Sequence, residues 1–253
     1  MITISGLIIT FNEEKNIARC IKSMQPVCDE IVVIDSGSTD RTVQIANELG
    51  ARTIYNPFEG HIEQKNYAIS KAKFDYVLSL DADEELDTEL IRNITKLKST
   101  ILHDGIMFNR LTRYVDKWIY HCDWYPDTKL RLWRKGRGQW GGTNPHDIVV
   151  MASNAKVKKI SGNLKHYSYN SISEHIDQTN KFTTIAAKAA YQNGVRSSLF
   201  KIATRPILKF IKDYFLRLGI LDGKYGFVIC YINSLSALLK YSKLKDLQDG
   251  KQI

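Results

Sequence analysis

Asp81 and Asp83 stand two residues apart, directly after the apolar run Tyr76-Val77-Leu78-Ser79-Leu80. Carboxylates so spaced, just past a buried strand, can reach toward one divalent cation and a ribose. Hard cations such as Mg2+ or Mn2+ take oxygen ligands and keep positions open for phosphate oxygens. Such an ion would neutralise charge building on a leaving diphosphate. A solvated acidic loop is the competing explanation, because Glu84, Glu85 and Asp87 follow. Asp35 ends another short apolar run, residues 30–34, where a carboxylate can accept hydrogen bonds from a base or ribose, with Gly37 permitting a tight turn. Asp40 reads more simply as a helix cap or dipole partner. In Thr10-Phe11-Asn12-Glu13-Glu14, Phe11 can lie against a nucleobase and Glu13 can set the polarity of a pocket, although a helix start with first-turn acids explains Glu14 as well. Lys65, within Gln64-Lys65-Asn66, can approach a diphosphate or can simply be a solvated helix lysine.

A second cluster reads Trp140-Gly141-Gly142-Thr143-Asn144-Pro145-His146-Asp147. Glycines beside a tryptophan allow close approach of a flat, hydroxylated ligand such as a sugar. Asp147 can serve as a general base if it lies within reach of a hydroxyl. His146 can ligate a metal or position a phosphate, and His166 follows on a later strand; a lone histidine is more often structural. Arg131 and Arg134 flank Trp133 and can bind anions, with one of the two explained by surface solvation alone.

The elements that must hold these residues alternate. Residues 3–9, 30–34, 52–55 and 76–80 read as strands, and residues 41–49, 61–73 and 86–97 as helices, with Asn12 a candidate cap for a helix reaching Met24. This β-α order predicts an α/β fold with a mostly parallel sheet and helices on both faces. Ligands of such sheets sit at the carboxyl ends of the strands, where Asn12, Asp35 and Asp81 all fall. Beyond residue 100 the rhythm changes: strands at 106–114, 129–133, 148–150 and 157–160, a turn-rich loop at 136–142, then helices at 171–193, 198–218 and 225–244. We divide the chain into a nucleotide-binding half (1–100), an acceptor-binding half of the same domain (101–195) and basic amphipathic C-terminal helices (196–253).

The 253 residues carry a net charge of +9, unevenly. Residues 1–100 hold 11 basic and 16 acidic side chains, and residues 101–253 hold 25 and 11. The composition excludes a disordered tail, a collagen-like fibre and a disulfide-stapled mini-protein. Cys20, Cys28, Cys122 and Cys230 form no zinc spacing and suit a reducing compartment. The N-terminus lacks the basic leader of a signal peptide, and the best apolar stretch, residues 227–239, falls short of the ~20 residues a membrane span needs. We therefore expect a cytoplasmic protein with peripheral contact at the inner face of the plasma membrane. Lys201, Arg205, Lys209 and Lys212 recur at helical spacing beside Leu199, Ile202, Ile207, Phe210 and Ile211, a pattern equally compatible with an anionic membrane interface and with packing on the core. No nucleic-acid motif accompanies the charge.

Taken together, Ile8-Ile9-Thr10-Phe11-Asn12-Glu13-Glu14, Val33-Ile34-Asp35-Ser36-Gly37-Ser38-Thr39-Asp40 and Leu80-Asp81-Ala82-Asp83-Glu84 resemble glycosyltransferase family 2, which has the GT-A fold. Gln64-Lys65-Asn66, the run from Arg131 to Gly136 and the Gly-x-x-x-His-Asp stretch ending at Asp147 are similar to the bacterial lipopolysaccharide-core glucosyltransferase branch, in which Glu is more usual at the place of Asp147. The resemblance implies an inverting transferase that binds a nucleotide-sugar donor, most often a uridine diphosphate sugar, and a glycolipid or lipopolysaccharide-core acceptor. Thr10, Phe11, Glu13, Asp35, Lys65 and Asp81 would serve the donor. Asp83, with His146 or His166, would hold Mg2+ or Mn2+. Asp147 would be the base, and Trp140 and Arg131 would meet the acceptor. A nucleotidyltransferase is the first rival, disfavoured because an acidic, glycine-free loop follows the first strand. A non-catalytic adaptor on the same fold is the second, disfavoured by the retained Asp81 and Asp83.

Overall fold

The computed structural model describes residues 1–100, 103–143 and 146–253, His146 by its backbone alone. The chain forms two compact units, one of residues 1–110 and 127–166, the other of residues 111–126 and 167–253.

In the first unit, β1 (Ile4–Thr10), β2 (Glu30–Asp35), β3 (Arg52–Tyr55) and β4 (Tyr76–Asp81) pair in parallel, in the order β3-β2-β1-β4. Side chains alternate across a strand, and both faces of β1, β2 and β4 are covered, so these read as largely apolar runs, while the edge strand β3 leaves Arg52 and Tyr55 exposed. Ile4, Ile8, Val33, Leu78 and Leu80 face a core built with helices α1 (Ile17–Met24), α2 (Thr42–Glu48) and α4 (Thr88–Leu97). Leu7, Val32, Ile34 and Val77 face the opposite way, onto Ala68 of α3 (His61–Lys71) and onto Trp133 and Trp140. The sheet continues past β4 through β8 (Asp127–Arg134), β6 (Gly105–Tyr114) and β11 (Val157–Tyr169) to the edge strand β5 (Glu84–Leu86). Here β8 runs antiparallel to β4, and β5 antiparallel to β11. This is the α/β class expected above, with helices on both faces and a helical C-terminal extension.

Three local expectations need correction. Asn12 does not cap α1, which starts at Ile17 after Asn16; its backbone sits in the left-handed region at φ 55° and its side-chain carbonyl accepts the Thr39 amide at 2.8 Å. The helix expected from residue 86 begins at Thr88. Asp87 caps it by accepting the Leu90 amide at 2.7 Å, and residues 84–86 form β5 instead. The glycine-rich stretch is not a loop: β9 (Gly138–Thr143) pairs antiparallel with β10 (His146–Met151). Gly136 turns the chain ahead of β9 at φ 82°, whereas Gly138 serves close approach, since a Cβ on it would lie 2.5 Å from the Met151 sulfur.

The second unit contains the short strand β7 (Lys117–Trp118), helices α5 (Ile172–Gln192) and α6 (Leu199–Ile211), a π-helical turn at Lys212–Leu216, a 3-10 turn at Gly219–Asp222 and helix α7 (Gly223–Gln248). Pro206 lies inside α6, whose N-terminus is capped by Ser198. The unit's core gathers Tyr114, Ile119, Cys122, Ile229 and Cys230. Beside Tyr114, His175 is buried, with its Nδ1 3.1 Å from the Tyr114 hydroxyl. Among the described residues no helix is long and apolar enough to cross a membrane.

Candidate active site

The parallel register sets the expected donor-side residues in a row. Thr10 lies opposite Asp35, and Ile9 opposite Asp81, all at the carboxyl edge. Thr10 is buried, and its hydroxyl has no hydrogen-bond partner among the described residues. Phe11, next in sequence, is 57% exposed. Asp35 spends its carboxylate on its own turn: it accepts the amides of Gly37 and Ser38 at 2.8 and 2.9 Å and the Ser38 hydroxyl. The strand-end loops after β1 and β2 are laced together. Asn12 donates its amide to Ser38 Oγ, Glu13 to Thr42 Oγ1 and Glu14 to Asp40 Oδ2. Burial raises the Glu13 carboxyl above its ordinary range, opposed by the Asn16 side-chain amide and helped by the nearby negative charges of Asp83 and Asp40.

The centre of the site is a buried ionic cluster. Lys65 Nζ lies 2.8 Å from Asp81 Oδ1 and 2.7 Å from Asp147 Oδ2, with its side chain 4% exposed. Arg131 bonds Asp81 Oδ2 at 3.1 Å and Glu84 Oε1 at 2.7 Å. Glu84 is fully buried; its other oxygen accepts the Asp81 amide at 3.0 Å, and Arg110 stands 3.8 Å away. Burial alone would raise the Asp81 carboxyl, but the Lys65 and Arg131 charges beside it hold it well below the usual carboxylate range. Burial would likewise weaken the Arg131 charge, and the Glu84 and Asp81 carboxylates reverse that effect. The Trp140 indole is buried beneath both cations, its centroid 4.3 Å from Lys65 Nζ and 5.3 Å from the Arg131 guanidinium. Trp140 and Arg131, expected at the acceptor, are thus interior: the ring carries cations and the guanidinium carries carboxylates, so neither offers a surface to a sugar.

Helix α3 holds this cluster by three consecutive residues. Gln64 donates to Ser36 Oγ at 3.0 Å and to the Asn56 carbonyl at 3.1 Å. Lys65 makes the two ion pairs. Asn66 accepts the Trp140 amide at 3.0 Å and donates to the Trp140 carbonyl at 2.9 Å, pinning β9.

Asp83 points elsewhere, toward His166 on β11, with Oδ2 and Nε2 3.1 Å apart. His166 is opposite Glu84 in the β11–β5 register, and its Nδ1 is buried without a hydrogen-bond partner among the described residues. One carboxylate oxygen and one imidazole nitrogen, both partly exposed, suit an ion that takes its remaining ligands from phosphate or water. Among the described residues no third histidine, cysteine or carboxylate joins them. The His146 side chain lies outside the described residues, and Asp81 has both oxygens committed to cations.

Sequence reasoning gave Glu84 no first role. Glu84 and Leu86 are buried on β5 with Glu85 between them, a placement that the run of acids in the sequence does not reveal. Gln64 and Asn66 were visible only through the resemblance, because amides on a helix carry no chemical signature of their own.

Residues 5–158 match the family model described as glycosyl transferase family 2. An uncharacterised glycosyltransferase of Rickettsia typhi is 34% identical over 96% of this chain and 87% of its own length. The lipopolysaccharide core biosynthesis glycosyltransferase LpsC of Rhizobium meliloti is 31% identical over 95% of this chain and 91% of its own. Among solved structures, glucosyl-3-phosphoglycerate synthase of Mycobacterium tuberculosis, crystallised with Mn2+ and uridine diphosphate, overlays at a TM-score of 0.36 with 26% identity; the overlay spans 44% of each chain, less than half of that protein.

Proposed function

Since the chain belongs to glycosyl transferase family 2 and is a glycosyltransferase, we propose that it moves a sugar from a uridine diphosphate sugar to a hydroxyl of a lipid-linked or lipopolysaccharide-core glycan, in one inverting displacement. The observation that carries this reading is the Lys65 bridge: one ammonium joins Asp147, the expected base, to Asp81, the donor-side carboxylate. A single displacement needs a base on the acceptor side and a stabilised leaving group on the donor side, and this bridge brings the two into one cluster.

In this reading Thr10 and the exposed Phe11 meet the base and ribose, and Asp35 shapes the loop that receives them. Asp147 takes the proton of the acceptor hydroxyl as its oxygen attacks the anomeric carbon from the face opposite the diphosphate. Lys65 orients Asp147 and, in this reading, exchanges one of its carboxylate partners for a diphosphate oxygen. Asp83 and His166 would hold Mg2+ or Mn2+, which when bound offsets charge on the leaving diphosphate. Arg131, Glu84 and Trp140 work from the interior, fixing Asp81 and Lys65. The likeness to LpsC supports the lipopolysaccharide-core class of acceptor. Such an acceptor lies at a membrane, and we assign the protein to peripheral contact with an anionic bilayer on its cytoplasmic side, supported by the basic balance of residues 101–253.

The test is release of uridine diphosphate from a panel of sugar nucleotides with Mn2+ and a core glycan acceptor, followed by NMR of the anomeric configuration. Asp147→Asn should retain donor binding and lose turnover, and Asp83→Ala should lose metal-dependent transfer. Retention of the donor's anomeric configuration would overturn the single displacement, and undiminished transfer by a folded Asp83→Ala protein would overturn the metal assignment.

A further inference from the structure

The second unit exposes large apolar side chains where its chain turns from α6 into α7. Phe215, Leu216, Leu218, Ile220 and Leu221 fall within seven residues and are all exposed, Leu216 at 74% and Leu221 at 61%. Clustered exposed apolar side chains of this size mark an interaction site more often than chance. We propose that this corner is the part of the protein that enters the lipid bilayer, an inference that rests on the membrane contact proposed above and locates it.

Charge selects the occupant. Residues 196–224 carry seven basic side chains and two acids, Asp213 and Asp222. Both acids are removed from the surface. Asp213 is fully buried, bound by Lys209 at 2.9 Å and by the Asn233 amide at 3.0 Å. Asp222 is 3% exposed and accepts the His121 amide at 2.9 Å. The segment itself therefore turns no acid outward, and Arg217 meets Asp123 of the neighbouring loop at 3.2 Å. A second copy of this chain would set one basic rim against another. A bilayer with anionic headgroups accepts the apolar tip and the basic rim together.

The corner is also built to stay put. Leu218 turns the chain in the left-handed region at φ 55°. Lys117 donates to the Asp222 carbonyl at 2.7 Å, and the Cys122 amide to the Arg217 carbonyl at 3.1 Å. A fixed tip presents its side chains without an ordering cost at the moment of insertion. Helix α6 adds to this surface: Leu199, Phe200, Ile207 and Leu208 are exposed along it, while Lys209 is engaged with Asp213, so the helix continues the apolar face of which the corner is the rigid tip.

The test uses the full chain with vesicles of phosphatidylcholine, with and without phosphatidylglycerol. Leu216→Trp should gain fluorescence that is quenched by lipids brominated in their tails, over and above the parent's four tryptophans. Leu216→Asn combined with Leu221→Asn should weaken partitioning roughly tenfold or more, with an unchanged circular-dichroism melt because both side chains are exposed. If that double variant binds like the parent while Lys201→Ala with Arg205→Ala does not bind, contact is electrostatic along α6; the tip proposal fails and the membrane reading stands. If the parent binds no anionic vesicle, both fail. If light scattering shows a dimer that the tip variant dissolves, the corner's occupant is a second copy and the proposal is overturned.

Discussion

Replacing Lys65 by Met removes one ammonium and keeps an unbranched chain in the slot beside Trp140. Two ion pairs disappear, at 2.8 Å to Asp81 and 2.7 Å to Asp147. Removing one partner of a buried pair costs about 3–5 kcal/mol, because a carboxylate is left uncompensated. Asp81 keeps Arg131 and its side chain is 29% exposed, so the loss should fall at or just below the bottom of that range, about 2–3 kcal/mol. Asp147→Asn should cost only about 1 kcal/mol, since Lys65 then still pairs with Asp81. The double variant should therefore lose less than the sum, with a coupling of about 1–2 kcal/mol. Urea unfolding of the four proteins at neutral pH measures this directly, provided the slopes agree. Additivity to within about 0.5 kcal/mol would refute the shared ion pair. Transfer should fall roughly a hundredfold in Lys65→Met, equivalent to about 2.7 kcal/mol of transition-state stabilisation. If kcat is unchanged, Lys65 is a structural counter-ion alone.

Four further outcomes are expected. Burial of His175 pushes its imidazole down to about 4 from an ordinary 6.5. The unfolded chain therefore takes up a proton that the folded one refuses between those values, so stability is full above pH 6.5 and falls by about 3 kcal/mol as the pH drops toward 4; His175→Gln should flatten that slope in thermal melts. Gly162 has φ 101°, and a Cβ there would sit 2.5 Å from the Leu90 amide nitrogen. Gly162→Ala should thus lower stability by about 2 kcal/mol or more, read as a fall in the urea midpoint. Asn66→Ala should cost about 2 kcal/mol by freeing both the amide and the carbonyl of Trp140. His166→Ala should weaken Mn2+ binding about tenfold in calorimetry while leaving the metal-free melt nearly unchanged.

The layered sheet was legible because its strands are buried on both faces: runs such as Ile31 to Ile34 have no amphipathic alternative, and their carboxyl ends follow from the β-α order. The residues at those ends, Thr10, Asp35 and Asp81, were legible for the same reason. What escaped is decided by contacts far apart in sequence. β9 hid behind its glycines, whose purpose is visible only when β10 and Trp133 lie against them. Arg131 and Trp140 are polar or amphipathic types that usually face water, and only the three-dimensional pairing with Asp81, Glu84 and Lys65 turns them inward. Asn12 looks like a helix cap until the opposite loop supplies Thr39. The pairing of Asp147 with Lys65 had no local signal, since neither residue is unusual in its own neighbourhood.

Adjacent residues of an α-helix project about 100° apart, so Gln64, Lys65 and Asn66 reach out over a little more than half of the circumference of α3. Ties in three directions fix a rod's rotation as well as its height. A one-residue insertion or deletion earlier in α3 would turn all three side chains off their targets at once. The loops flanking the helix can vary in length, while the helix itself must keep its phase. If Lys65 gave up a carboxylate, the helix would not be freed, because Gln64 and Asn66 would still hold it against the loop on one side and the strand on the other.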